Sequence, residues 1–197
     1  MSSIASLSVV RATQTDVKNV VEIINEAFLP SQSKILDEKH TESKFRVKES
    51  FIQSVIEAEE FEVKNKGFEL YLLVDSLKQI ILGTVLLQTQ IEGDLDTAKF
   101  CLLSRNPKVI EYKELKIGGR LIEHVIKRVE QLGKTKLKLQ IVDSGETQNN
   151  LITFYEKYGF KTTGRTSEYP RRHLLKQEYL GKVRLIEFEK QVGTYKI

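Results

Sequence analysis

Cysteine is nearly absent from this chain: Cys101 is the single one in 197 residues. One thiol excludes an internal disulfide and any cluster of cysteine ligands around a metal. A signal peptide is missing as well, because the opening MSSIASLSVVRAT has neither a basic leader nor a long apolar core. No apolar run approaches the roughly 18–20 residues that a membrane span requires. Repeats, low-complexity tracts and Pro/Gly/Ser linkers are absent too. The expectation from these absences is a soluble intracellular protein, cytoplasmic with the nucleus left open, with no membrane partner and no metal. What is present is ordinary globular composition, 40% hydrophobic and 29% charged, with the apolar residues spread along the whole length. One domain over residues 1–197 is the simplest organisation. A net charge of +4 suits anionic ligands such as phosphate groups, while interspersed acidic residues argue against a nucleic-acid partner.

Periodicity predicts a first strand over residues 7–12. A helix follows, with Thr15 as N-cap and Val17, Val20, Val21, Ile24, Ala27 and Phe28 on one face, ended by Pro30. Residues 31–46 read as a loop, and 47–63 as a second helix stopped by Gly67. Strands over 68–74 and 80–89 make a hairpin, and 98–108 a third antiparallel member. The clearest helix runs from Ile117 to Leu132, burying Leu121, Ile122, Val125, Ile126, Val129 and Leu132. A strand over 137–142, a helix over 147–158 and a strand over 160–163 come next. Residues 164–181 read as a long polar loop before a last strand over 182–189. The fold class is α/β (α+β), in the order β-α-α-β-β-β-α-β-α-β-β.

Within YKELKIGGRLIEHVI, residues 112–126, two adjacent glycines open that clearest helix, although each glycine in a helix interior costs roughly 1 kcal/mol against alanine. Bare backbone at a helix N-terminus presents N–H donors and the positive end of the helix dipole to an anion, above all a phosphate or pyrophosphate. Lys113, Lys116 and Arg120 could add charge-assisted contacts. Equally, the glycines could simply let the helix pack closely. The pattern is neither a Walker A loop nor a full G-x-G-x-x-G.

A second segment, QNNLITFYEKYGFK over residues 148–161 with Gly164 beyond it, resembles a hallmark of the GNAT N-acetyltransferases. The earlier loop resembles that family's Q/R-x-x-G-x-G/A pyrophosphate loop, with Lys113 at the Gln/Arg position, Lys116 at the first glycine and Gly118 at the second. The order of elements matches along most of the chain. The resemblance implies a GNAT-like fold, with a mixed, mostly antiparallel central sheet flanked by helices. It implies acetyl-CoA as co-substrate, held by Lys113, Leu115, Lys116, Ile117, Gly118, Gly119 and Arg120. Asn149 and Asn150 would reach its pantetheine or phosphate arm, and Tyr155 would be the general acid at the sulfur, with Tyr158 as competitor. Lys116 departs from the family's glycine. A lysine brings its own N–H and a charge, so the seat is read as retained.

The activity implied is transfer of an acetyl group to a primary amine by direct attack in a ternary complex. The amine is a small molecule or a peptide, and the oligomeric state stays open, a homodimer included. Such chemistry needs a neutral amine, a polarised thioester carbonyl and a proton for the departing thiolate. No general base is assigned, because Lys99–Arg105 carries no carboxylate. Cys101 alternates with Phe100 and is expected buried; His124, among Glu123, Lys127 and Arg128, is expected exposed. Arg171, Arg172 and His173 fall in the late loop that borders the acceptor pocket in this family. The alternative is a non-catalytic acyl-CoA-binding or protein-interaction module of the same fold.

Overall fold

The computed structural model describes residues 6–40, 45–60, 67–144 and 148–193. Its elements are β1 (Leu7–Arg11), α1 (Val17–Ile35), α2 (Glu49–Glu60), β2 (Phe68–Asp75), β3 (Ile80–Gln88), β4 (Thr97–Arg105), α3 (Ile117–Gln131), β5 (Lys136–Asp143), α4 (Gln148–Glu156), β6 (Lys161–Glu168) and β7 (Arg184–Gln191). The order is the one read from the sequence. The strands form one seven-stranded sheet, β1-β2-β3-β4-β5-β7-β6, antiparallel throughout except between β4 and β5. This is an α/β fold with a mixed, mostly antiparallel sheet flanked by helices.

Two faces of apolar side chains explain the layers. Successive residues of a strand point to opposite faces. Leu70 and Leu72 of β2 pack with α1 and α2, whereas Tyr71 and Leu73 pack with α3. On α3, Leu121, Ile122, Val125 and Val129 are fully buried, each worth roughly 1.5–3 kcal/mol relative to exposure. Ile126 is half-buried and Leu132 is exposed, so the helix face is narrower than the sequence pattern implies.

An ion network ties α3 to the sheet. Arg128 donates twice to Glu69, at 3.0 and 2.8 Å, Arg11 pairs with it at 2.7 Å, and the Tyr71 hydroxyl donates at 2.9 Å. Burial pushes the Glu69 carboxyl up, but Arg128, Arg11 and Tyr71 outweigh it and hold it below the ordinary glutamate value. His124 belongs beside this network rather than on the surface. It is half-buried with its ring 4.4 Å from that of Tyr71, and its pKa is lowered by burial and then by Arg11.

Several boundaries differ from expectation, each for a tertiary reason. Pro30 lies inside α1, which continues to Ile35 because Ile35 packs with Tyr169, Leu174, Leu175 and Val183. The turn into α1 is held by Thr13 and Asp16 rather than by Thr15: the Asp16 carboxylate accepts from the Thr13 N–H at 2.8 Å. Gly67, at a φ of +51°, directly precedes β2, where a Cβ would run into Gln90. The helix read over 47–63 is α2, and residues 61–63 lie outside the described ones. β6 runs on to Glu168, well into the stretch read as a loop.

Candidate active site

β4 and β5 are paired over three residues only, Thr97–Lys99 against Lys136–Lys138. Beyond that point they diverge, and β5 continues in full register with β7. The gap between them is a cavity of about 220 Å³, walled by Phe100–Leu103 on β4, Leu139–Val142 on β5 and Tyr155 from α4. Lys99 Nζ donates to Gln140 Oε1 at 2.7 Å across the root of the split. A larger hollow of about 760 Å³ over the outer face of β5, β7 and β6 is lined by Gly159 and Lys161 of the 148–161 segment but by none of the expected catalytic or cofactor-binding residues. Its Lys138 sits 3.8 and 3.6 Å from Glu187 and Glu189.

A bulge shapes the cavity wall. The pairing of β4 with β3 shifts between Thr84 and Leu86, so that Leu102 and Leu103 stand opposite Val85 alone, and Leu102 has a φ of +52°. Its carbonyl accepts from Thr84 Oγ1 at 3.2 Å. Such a conformation costs an L-residue roughly 1–2 kcal/mol. The bulge sends Leu102 to the α1–α2 core while Phe100 and Leu103 pack toward α3. Cys101 is therefore not in the core: it is exposed at the cavity, and the crowding walls push its thiol pKa up. Sequence pattern carries no signal for this bulge, because a leucine at positive φ has no local signature.

The loop after β4 is anchored by Tyr112, which is fully buried and donates to Asp75 at 2.6 Å. That bond holds the Asp75 carboxyl below, and the Tyr112 phenol above, its ordinary value. Lys116, the N-cap of α3, has a φ of +49°. It thus adopts the left-handed conformation for which glycine is preferred, at the position where the resembled family has glycine. Arg120 Nε donates to the Leu115 carbonyl at 3.1 Å, folding its guanidinium back over the loop. Ile117 is buried against the sheet, where Gly83 leaves room for it. The side chains of Lys113 and Asn149 lie outside the described residues, and Asn150 is exposed in the first turn of α4.

Both glycines meet α4 or the turn after it. A Cβ on Gly118 would stand 3.2 Å from the Phe154 ring, and one on Gly119 only 2.0 Å from the Tyr158 hydroxyl. Their bareness therefore has a packing reason, though the neighbours are Phe154 of α4 and Tyr158 in the turn after it rather than the sheet. Phe154 and Tyr155 link the loop to the cavity: the first touches Gly118 and the second lines the cavity wall. Tyr155 is 8% exposed, and burial pushes its phenol up to about 12. Tyr158 faces Gly119 and is not among the cavity-lining residues.

Behind Ile35 and Tyr169, which line the cavity, parts of the chain that are distant in sequence meet. Leu36 bridges to Leu175, Asp37 N–H donates to the Leu174 carbonyl at 2.8 Å and Lys176 N–H to the Ile35 carbonyl at 2.9 Å. Ile35, Leu36, Tyr169, Leu174, Leu175 and Val183 form a small core of their own there. Asn25 of α1 holds the segment before α2, accepting from the N–H groups of Arg46 and Val47 at 2.7 and 2.9 Å. Arg171 donates to the Phe45 carbonyl at 2.9 Å, and Arg172 pairs with Glu168 at 3.1 Å. Arg171, Arg172 and His173 do not line the cavity, whereas Gln32, Lys34, Arg46 and Tyr169 do. Among the described residues no carboxylate lines it, no helix is long and apolar enough to cross a membrane, and no cluster of three or more His, Cys, Asp or Glu could hold a metal.

Neither a family model nor a curated protein matches the sequence. Solved structures match the fold over nearly its whole length. PaiA N-acetyltransferase from Thermoplasma acidophilum, in complex with coenzyme A, is similar at 19% identity and a TM-score of 0.67, over 94% of this chain and 99% of that one. YncA from Salmonella typhimurium, solved with its cofactor acetyl-CoA, is similar at 15% identity and a TM-score of 0.66, over 98% and 97%. An acetyltransferase of the GNAT family from Staphylococcus aureus is similar at 16% identity and a TM-score of 0.61, over 95% and 99%. With its split parallel strand pair and these likenesses, the chain has the GNAT fold.

Proposed function

We propose that the protein, as one domain over residues 1–197, is an acetyl-CoA-dependent N-acetyltransferase acting on a primary amine by direct attack in a ternary complex. The observation that carries this reading is the divergence of β4 from β5 after three paired residues. Tyr155 stands on the wall of the resulting cavity, and the donor end of α3 touches the neighbouring Phe154. Bound acetyl-CoA supplies an activated thioester; the residues of this chain hold and orient it. Ile117, Gly118, Gly119 and Arg120 offer first-turn N–H groups and the positive helix end to the pyrophosphate. Lys113 and Lys116 add charge, and Leu115 positions Arg120. Asn149 and Asn150 are assigned to the pantetheine or phosphate arm. Past Lys99 and Lys138 the strands have parted, so backbone groups facing the gap lack a partner strand and can bond an extended amide chain.

Tyr155 is assigned to the departing sulfur. With its phenol near 12 it keeps its proton at neutral pH and donates a hydrogen bond. Complete proton transfer to a thiolate of ordinary pKa about 8.5 would be uphill by roughly three units, about 4–5 kcal/mol. The proton that ends on sulfur therefore originates on the attacking nitrogen, and Tyr155 shares it rather than supplying it. With no carboxylate among the described lining residues, the amine enters neutral or loses its proton to water.

Free-thiol release from acetyl-CoA over a panel of amines, measured beside coenzyme A binding, tests the proposal. Turnover supports it. Tight coenzyme A binding with no turnover on any amine would favour the alternative, a non-catalytic acyl-CoA-binding or interaction module; Lys116 in place of glycine and the carboxylate-free wall speak for that alternative. Tyr155→Phe is expected to lower kcat while leaving acetyl-CoA affinity nearly unchanged, and an unaltered kcat would remove Tyr155 from the mechanism.

A further inference from the structure

The acceptor end of the cavity carries chemistry that acetyl transfer to an amine in general does not require. Gln32 of α1 is 4% exposed and lines the cavity, and among the described residues neither its Oε1 nor its Nε2 has a hydrogen-bond partner. A buried amide without partners destabilises a fold unless something else accounts for it. Arg46 lines the same cavity with its guanidinium 5.2 Å from the Phe28 ring centre, and no carboxylate among the described residues pairs with it. Its field reaches the cavity wall, where it opposes the effect of burial on the Cys101 thiol. Lys34 is a second cation on the lining, and no carboxylate among the described lining residues offsets either.

These groups select for charge and for size. A second ammonium on the acceptor would meet Arg46 and Lys34 and, among the described residues, no carboxylate, which disfavours diamines and polyamines. A carboxylate fits the planar fork of a guanidinium. The two ends of the Gln32 amide, one donor and one acceptor, complement a carboxylate and an amine side by side. The whole cavity is about 220 Å³ and is shared with the extended amide chain proposed for the gap, so the acceptor is small; Ile35 and Tyr169 wall this end.

We infer that the acceptor is a small amine that also carries a carboxylate, as an α-amino acid does, with Arg46 and Gln32 reading the carboxylate and its neighbouring nitrogen. The inference rests on the acetyltransferase reading. It is tested with the free α-amino acids against the same compounds as carboxamides, which keep the amine and the size but lose the charge. Free acids are expected to be favoured about tenfold or more in kcat/KM, mostly through KM. Carboxamides or diamines turned over as well as the free acids, or free acids not turned over at all, would overturn it.

Gln32→Leu and Arg46→Ala should each raise the acceptor KM about tenfold. Gln32→Leu should do so in a protein at least as stable as the parent, because it removes an unpaired buried amide; an unchanged KM in that variant would overturn the assignment. Calorimetric binding of free acids and carboxamides, with and without coenzyme A, gives the same contrast without turnover. Turnover of any amine separates the two failures. If no amine in the panel is turned over, the acetyltransferase reading falls; if carboxamides are turned over and bound as well as the free acids, only the carboxylate falls.

Discussion

The two ends of the cavity are built in different ways. At the α3 end every proposed group comes from two short stretches, residues 113–120 and 149–155, brought together by Phe154 on Gly118 and Tyr158 on Gly119. At the α1 end the wall exists only because residues far apart meet: Lys176 Nζ donates to the Ser33 carbonyl at 2.9 Å across 143 positions. The first end carries the groups proposed to hold a phosphorylated ligand. The second carries Gln32 and Arg46, which have no counterpart in any motif. Local sequence thus supplies the common chemistry, and long-range docking supplies the selectivity.

The sharpest way to break this division is at the junction itself. Leu175→Ala, at a 7% exposed position beside Leu36, is expected to cost about 2–3 kcal/mol in chemical denaturation. It should raise the acceptor KM and leave coenzyme A affinity unchanged; an equal loss of both would show that the ends are not separable. At the other end, Gly119→Ala would bring a Cβ to 2.0 Å from the Tyr158 hydroxyl and should cost about 1–2 kcal/mol. Tyr158→Phe should recover most of that in the double variant. If removing the hydroxyl rescues nothing, the glycine is kept for a ligand rather than for Tyr158. The smallest effect is expected from Lys116→Gly. Relief of the left-handed φ should add about 1 kcal/mol of stability. Loss of the charge should weaken coenzyme A binding at low salt, and tighter binding would instead mark the lysine as an obstacle.

Backbone strain is shared by both ends of the site. Leu102 and Lys116 are two of the three non-glycine residues at positive φ among the described ones, the third being Gln79 in the β2–β3 hairpin turn. Strain of this kind persists where the surroundings over-determine it. Thr84 holds the Leu102 carbonyl, and the Tyr112–Asp75 bond steadies the loop that ends in Lys116.

The element order was legible because hydrophobic period and glycine punctuation act locally. The α3 stripe of Leu121, Ile122, Val125 and Val129 is buried as its spacing requires, and the 76–79 turn joins β2 to β3 as read. Pro30 misled because its local preference to end a helix is outweighed by the packing of Ile35 with residues 169–183. Cys101 misled because strand alternation assumes an unbroken ladder, and β4 has both a bulge at Leu102 and no β5 beside it there. His124 misled because its helix neighbours are charged, while the ring that covers it, Tyr71, comes from another strand.

By itself, then, the chain's sequence dictated the order of strands and helices and the apolar faces, and it carried the two segments that we propose hold a pyrophosphate and a sulfur. Those depend on period, turn chemistry and contiguous residues, which fold into place wherever the segment goes. Tertiary structure alone decided that Gly119 is covered by Tyr158, that Cys101 opens onto a cavity, and that Tyr155 rather than Tyr158 faces it. It also decided that Gln32, without a hydrogen-bond partner among the described residues, and Arg46 line one cavity. These depend on where two strands part and on which distant side chains fill the space, and neither is written in any local stretch.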